Sequence, residues 1–272
     1  MEFCNQKKNY FLIKISTSDP GIYNQASTLK SFLRKDYNPG ASLLVLVFLP
    51  ENVDEILERF VKLFPGADIV ETGLSPVPGT PGYEGLISEK ISIISGLGGM
   101  MPKERQVLVK SFLSFGSGFH PTTRLCARLM ERMFSGRMKD ILDVGTGSGI
   151  LALCAWRLGA RRVLAVDTSF GAIKEAGSNI KANGASGSIL VVHGSADCAR
   201  PKGFDLVVAN LTIGVMKGLA PSFPLLLRKG GHMILSGFVE KHKQLVLEKL
   251  ESSEIIEEDE LDGWKGVVLS EG

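Results

Sequence analysis

The sequence predicts an α/β protein: a doubly wound, mostly parallel sheet with one antiparallel strand, preceded by a smaller N-terminal α/β domain. Three observations carry that expectation. From residue 122 onward, segments of helical and strand periodicity alternate without a break. A glycine loop, LDVGTGSGI (142–150), occupies the first strand-to-helix turn of that alternation. The last segment, IIEEDELDGWKGVVLS, joins two strand-like runs through Asp262-Gly263, a dipeptide suited to the positive φ angles of a tight hairpin.

The elements follow in order. YFLIKIS (10–16) reads as a strand, and YNQASTLKSFLRKDY (23–37) as a helix with Leu29, Phe32 and Leu33 on one face. ASLLVLVFL is a second strand, NVDEILERFVKLF (52–64) an amphipathic helix, and ADIVETG a third strand. This small domain is placed at 1–95. Proline- and glycine-rich stretches at 73–85 and 94–102 then put a linker at 96–113, bridged by the short strands KISIIS and RQVLVKSFL. The large domain spans 114–272. Its helix TTRLCARLMERMF is followed by DILDV, then by ILALCAWRL, which Gly159 ends. RVLAVD, the helix FGAIKEAGSNIKAN, SILVV and DLVVAN come next, then the helix IGVMKGLAPSFPLLL, HMILSG, the helix EKHKQLVLEKLE and the final strand pair.

Composition bounds the function. The 272 residues carry 31 Lys and Arg against 29 Asp and Glu, a net charge of +2. With 44% hydrophobic and 22% charged residues, the chain has the material for a substantial core. The charge balance gives no argument for nucleic-acid binding and leaves room for a local patch. Cys4, Cys126, Cys154 and Cys198 are far apart and form no CxxC pair, which reads as reduced, structural thiols in a cytoplasmic protein. The start, MEFCNQKKNY, has no signal-peptide apolar region, and SLLVLVFL (42–49) is too short to span a bilayer, so no membrane partner is expected. No His/Cys/Asp cluster has metal-ligand spacing.

The loop chemistry is more specific. Gly145, Gly147 and Gly149 let the backbone turn tightly and let a ligand approach closely. Ile150 stands where the dinucleotide fingerprint carries its last glycine. Asp143, two residues before the first glycine, disfavours a pyrophosphate and suits a cationic amine, such as the methionyl end of S-adenosyl-L-methionine. Asp167 follows Gly145 by 22 residues, at the end of RVLAVD, where it can accept from both ribose hydroxyls. This two-acid pattern reads as a Rossmann-like methyltransferase using S-adenosyl-L-methionine; the bland alternative is a tight turn that binds nothing.

Asn210 ends the strand DLVVAN, where ligands sit in this architecture. Either it holds an incoming amine in line with the cofactor or it caps the next helix. Asp197 is either an acceptor for the adenine amino group or a solvated loop acid, and His193 follows the same strand. His120 is either a catalytic base or a structural residue at a helix entrance. His232 and His242 read as ordinary surface or core residues.

With these residues in place, FGSGFHPTTRLC (115–126), DVGTGSGIL, NIKANG, DLVVAN and GGHMILSGF, in that order, resemble the ribosomal protein L-eleven methyltransferase family over about residues 115–240. The resemblance implies a class I, S-adenosyl-L-methionine-dependent protein lysine methyltransferase. In that family the HPTT segment folds over the cofactor, and the binding positions map onto Thr123, Gly145, Asp167 and Asn210. It implies methylation of lysine and N-terminal amines of a ribosomal protein recognised by the small N-terminal domain, with no direct nucleic-acid requirement. The alternatives are another protein lysine or a small amine as acceptor, or a cofactor-binding module without turnover.

Overall fold

A computed structural model of the chain describes residues 10–16, 29, 32–38, 43–48, 53–65, 67–75, 84–95, 102–109, 120–136, 138–250 and 252–271. The chain divides into two compact units, Met1–Tyr83 and Glu84–Gly272. Among the described residues no helix is long and apolar enough to cross a membrane, and no group of three or more His, Cys, Asp or Glu side chains could hold a metal ion.

The first unit contains β1 (Tyr10–Ser16), β2 (Phe32–Asn38), β3 (Leu43–Phe48), α1 (Val53–Leu63) and β4 (Asp68–Ser75). The strands form one sheet in the order β2-β3-β1-β4, with all neighbours antiparallel. Ile56 and Phe60 recur at helical spacing on α1 and pack with Ile13, Ile15, Leu46 and Phe48. The helix expected over 23–37 is corrected here: Phe32–Asn38 is a strand, paired from Phe32↔Phe48 to Asn38↔Leu43. Local helical spacing yields to backbone pairing, because β3 is an apolar strand that would otherwise present an unpaired edge. The rest of that expected helix, apart from Leu29, lies outside the described residues.

The second unit begins with a three-stranded sheet, β5 (Glu84–Leu86), β6 (Ser92–Ser95) and β7 (Gln106–Val109). These strands fall inside segments read from the sequence as domain tail and linker. Ile87, Ile91, Ile93, Val107 and Val109 are buried in the core of the larger unit, so this stretch is packed wall rather than loose connection. Asn183 fixes it. Its Oδ1 accepts from the Leu108 N–H at 2.9 Å, and its Nδ2 donates to the Leu108 carbonyl at 2.7 Å. A buried side-chain amide thus does for β7 what a neighbouring strand would do.

The main sheet has seven strands: β8 (Asp140–Val144), β9 (Arg162–Asp167), β10 (Ile189–His193), β11 (Phe204–Asn210), β12 (Leu227–Val239), β13 (Ser253–Leu261) and β14 (Trp264–Glu271). Their order is β10-β9-β8-β11-β12-β14-β13, and only β14 runs against the rest. That is the class I methyltransferase-like sheet the sequence predicts. The turn at Asp262 and Gly263 has φ of 51° and 77°, as the dipeptide requires.

Helices cover both faces. Leu129 of α2 (Pro121–Met133), Leu153 of α3 (Ile150–Leu158) and Ile180 of α4 (Phe170–Ala182) pack with Ile141, Val163 and Leu206. On the other face, Met216 of α5 (Ile213–Leu219), Phe223 of α6 (Phe223–Leu226) and Val246 of α7 (Glu240–Leu247) pack with Leu142, Val207 and Leu235. The single helix expected over IGVMKGLAPSFPLLL is broken into two by a 3₁₀ turn, because Pro221 and Pro224 cannot donate the interior hydrogen bonds. Cys126 and Cys154 are buried and unpaired, and burial pushes the Cys126 thiol up and the Cys154 thiol to about 12, as expected of inert structural thiols.

Replacing Asn183 with Ala leaves the buried Leu108 N–H and carbonyl unpaired. A loss of about 3 kcal/mol is expected, read as a lower urea midpoint at unchanged slope.

Candidate functional site

Four parallel strands end at one level, and a cleft of about 820 Å³ opens above β8, β9 and β11. The glycine loop forms its floor. Gly145 and Thr146 N–H groups donate to the Val166 carbonyl at 2.9 and 3.0 Å, tying the loop to the neighbouring strand. Gly147 has φ of 55°, and a Cβ there would meet no atom within 4 Å, so this position faces open space in the cleft. Its N–H donates to Asp167 Oδ2 at 2.9 Å, while Asp167 Oδ1 accepts from the Ser169 N–H at 2.8 Å. Both oxygens of Asp167 are therefore held by backbone, and each keeps a lone pair for a further donor.

Asn210 lines the cleft at the end of β11, and its Nδ2 donates to Thr123 Oγ1 at 3.3 Å. The capping alternative is not realised: Thr212 is the N-cap of α5. Thr123 is buried within the first turn of α2, whose N-cap is His120, with Pro121 at the first helical position. His120 Nδ1 accepts from the Thr122 N–H at 3.3 Å and lies 2.8 Å from the Thr122 hydroxyl. Its ring meets Trp264 edge-on at a centroid distance of 5.1 Å. His120 thus caps α2, and it also lines the cleft. The residues of the opening motif before His120 lie outside the described residues.

Three other expected cofactor contacts take different places. Asp143 lies beneath the loop, 1% exposed and away from the cleft. Thr146 Oγ1 donates to its Oδ2 at 2.6 Å and the Ala152 N–H at 3.1 Å, so this carboxylate closes the loop and caps α3, whose own N-cap is the bare Gly149. Burial pushes the Asp143 carboxyl up to about 6, opposed by those two hydrogen bonds. Gly149 starts α3 outside the cleft, and a Cβ there would come within 3.3 Å of the Ala176 backbone, so its bareness serves the packing of α3 on α4. Asp197 is exposed in a 3₁₀ turn and does not line the cleft; Gly194 and Ser195 do. His193 braces the floor from outside, with Nε2 2.9 Å from the Thr168 carbonyl.

Several lining residues carry no motif signal. Glu175 of α4 lines the cleft with a buried Oε1 that has no hydrogen-bond partner. Beyond Asn210 the wall becomes apolar and aromatic, with Leu211, Ile213, Val215, Phe238 and Trp264, and His242 beside them. The glycine dipeptide announced the hairpin that carries Trp264 but not its arrival over α2. His242, read as an ordinary residue, also lies on this wall.

Asp143 is expected to make folding stability depend on acid pH in a stated direction. Its folded value lies above the unfolded one, so the folded state holds the proton longer and stability falls as pH rises from about 4 to about 6, then levels. The difference in unfolding free energy between the wild type and Asp143→Asn, measured across that range, should show this slope. A flat difference would mean that the carboxyl is ionised throughout.

The family model described as ribosomal protein L11 methyltransferase (PrmA) matches residues 87–271, nearly all of the second unit. A ribosomal protein L11 methyltransferase of Pelotomaculum thermopropionicum is 42% identical over 154 residues, covering 56% of this chain and 50% of the relative. One from Desulforamulus reducens is 34% identical over 169 residues, covering 61% and 54%. The chain thus spans about half the length of the curated relatives it matches. A crystal structure of ribosomal protein L11 methylase from Lactobacillus delbrueckii subsp. bulgaricus superposes with a TM-score of 0.62 at 28% identity, covering 70% of this chain and 98% of that one.

Proposed function

Because the chain belongs to the ribosomal protein L11 methyltransferase (PrmA) family, we propose that it methylates amino groups of a ribosomal protein of the L11 kind, with S-adenosyl-L-methionine as the methyl donor. One observation supports this reading above the others: the cleft runs unbroken from the doubly held Asp167, past Asn210, to the apolar wall at Trp264. It has a polar end suited to a nucleoside and a dry end suited to an alkyl amine.

The residues present fit the donor. The open space at Gly147 gives a ligand room against bare backbone, and the unpartnered Glu175 Oε1 is an acceptor in a cleft whose proposed occupant is rich in donors. Bound there, the cofactor supplies a methyl group on a sulfonium, already activated for displacement. Asp167 accepts from the ribose hydroxyls. Thr123 fixes the Asn210 amide by taking one of its hydrogens, which leaves the amide oxygen to accept from the incoming amine. Leu211, Ile213, Phe238 and Trp264 exclude water, and this desolvation favours the neutral, nucleophilic form of a lysine. Positioning and drying do the work, and no dedicated base is required.

Two measurements test the reading. Saturating S-adenosyl-L-methionine is expected to raise the melting temperature, by mass action worth about 2.7 kcal/mol at a hundred times Kd, and Asp167→Ala to abolish the shift. An undiminished shift in that variant would remove Asp167 as the ribose anchor. Asn210→Ala should lower kcat about a hundredfold on purified ribosomal protein L11, followed by mass spectrometry, with a much smaller change in the acceptor KM. Cofactor binding without any methyl transfer would favour a binding module instead.

A further inference from the structure

Among the described residues two carboxylates line the cleft, Asp167 and Glu175, and they differ in what they already hold. Each Asp167 oxygen accepts a backbone N–H, from Gly147 at 2.9 Å and from Ser169 at 2.8 Å. Glu175 Oε1 is buried and has no hydrogen-bond partner. Among the described residues no lysine or arginine lines the cleft, and the adjacent Lys174 lies over the Phe170 ring, 4.7 Å from its centroid. A dry carboxylate oxygen without a donor is costly to keep, so its place is explained by a donor that arrives with a ligand.

The position of Glu175 on α4 narrows the choice of donor. Ala172, Glu175, Ala176 and Asn179 recur at the spacing of one helical face. That face lies along the glycine loop. Asn179 Nδ2 donates to the Ser148 carbonyl at 2.8 Å, and a Cβ at Gly149 would come within 3.3 Å of the Ala176 backbone. Ala172 and Glu175, nearer the start of the helix, reach the cleft itself. The strand order runs β10-β9-β8-β11, so α4, which leaves β9, and Asn210, which ends β11, stand on opposite sides of that loop.

We propose that Glu175 is a second ribose acceptor, so that the two vicinal hydroxyls of the cofactor are divided between two carboxylates, one proton to Asp167 and one to Glu175. This role rests on S-adenosyl-L-methionine as the occupant of the cleft, and it adds to that reading a recognition residue that no motif marks. A cofactor anchored at Asp167 with its methyl end at Asn210 turns its sugar, not its amino-acid end, toward α4. Asp167 has spent one lone pair of each oxygen on backbone, whereas Glu175 Oε1 has spent none, so the second hydroxyl finds the stronger acceptor there. A phosphate on either hydroxyl would meet a carboxylate at short range, which turns phosphorylated sugars away.

The test is calorimetric titration of the full chain with S-adenosylhomocysteine, its 2′-deoxy form and its 3′-deoxy form. A hydrogen bond to a carboxylate carries about tenfold or more in affinity, so each deletion should weaken binding to the wild type by roughly that factor. Glu175→Ala should bind the parent ligand about tenfold more weakly; one deoxy ligand should then show no further loss, while the other keeps its full penalty. Glu175→Gln, which keeps the shape and an acceptor oxygen, should recover part of the loss, and it stands in if the alanine variant fails to fold. A structural role alone would lower the affinity for all three ligands by one common factor. That result, or an unchanged affinity for the parent ligand, would overturn the proposal and leave the cofactor reading standing. A penalty that vanishes with 5′-methylthioadenosine, which keeps the ribose and lacks the amino-acid end, would replace it with a contact to the cofactor's ammonium. No binding of any of these ligands to the wild type would remove the cofactor reading and the ribose contact together.

Discussion

The hydrogen bond from the Gly147 N–H to Asp167 joins two parts of the chain that only a parallel sheet brings together. It exists because Val144 and Val166 are partners in register, so that β8 and β9 end side by side. The loop leaving β8 then passes directly over the end of β9, where the Val166 carbonyl receives two of its N–H groups. Slipping β9 by one residue would turn the Asp167 carboxylate to the opposite face and leave the loop without a partner. The positive φ angles of the loop, the entry of α3 and the aim of the carboxylate all follow from that single alignment.

Much of the site was legible because strand ends are where an open parallel sheet presents its ligands. Asp167 and Asn210 close apolar runs, and Thr123 opens a helix, so each could be placed before any contact was known. The buried place of Asp143 follows from the same physics. Side chains alternate along a strand, so Asp143 shares a face with Ile141, which packs in the layer of α2 and α3. An acid on that face serves the helix end above it. Leu206 and Val208 share that face with Asn210, which explains why its amide meets Thr123 on α2.

The rest was hidden because it depends on contacts between distant segments. Nothing near Trp264 in the sequence announces His120 as its neighbour, and the walls at Phe238 and Leu211 come from the end of β12 and the connection after β11. Strand β2 has no local signature, because apolar spacing in a short segment cannot report a waiting edge. The segment 96–113, read as linker, contains β7, whose attachment comes from an asparagine 75 residues further on. Such a bond leaves no local trace.

The strand order places β14 between β12 and β13. Strand β14 is therefore an interior member of the sheet, although it follows the other six in sequence. The β13–β14 ribbon is a local hairpin that can form within microseconds, but β12 has no partner on that side until the ribbon docks. Until then the sheet has an open apolar edge and the cleft lacks its Trp264 wall. Closing the sheet and closing the cleft at Trp264 are therefore one event, which waits on the strand that comes after all the others in sequence.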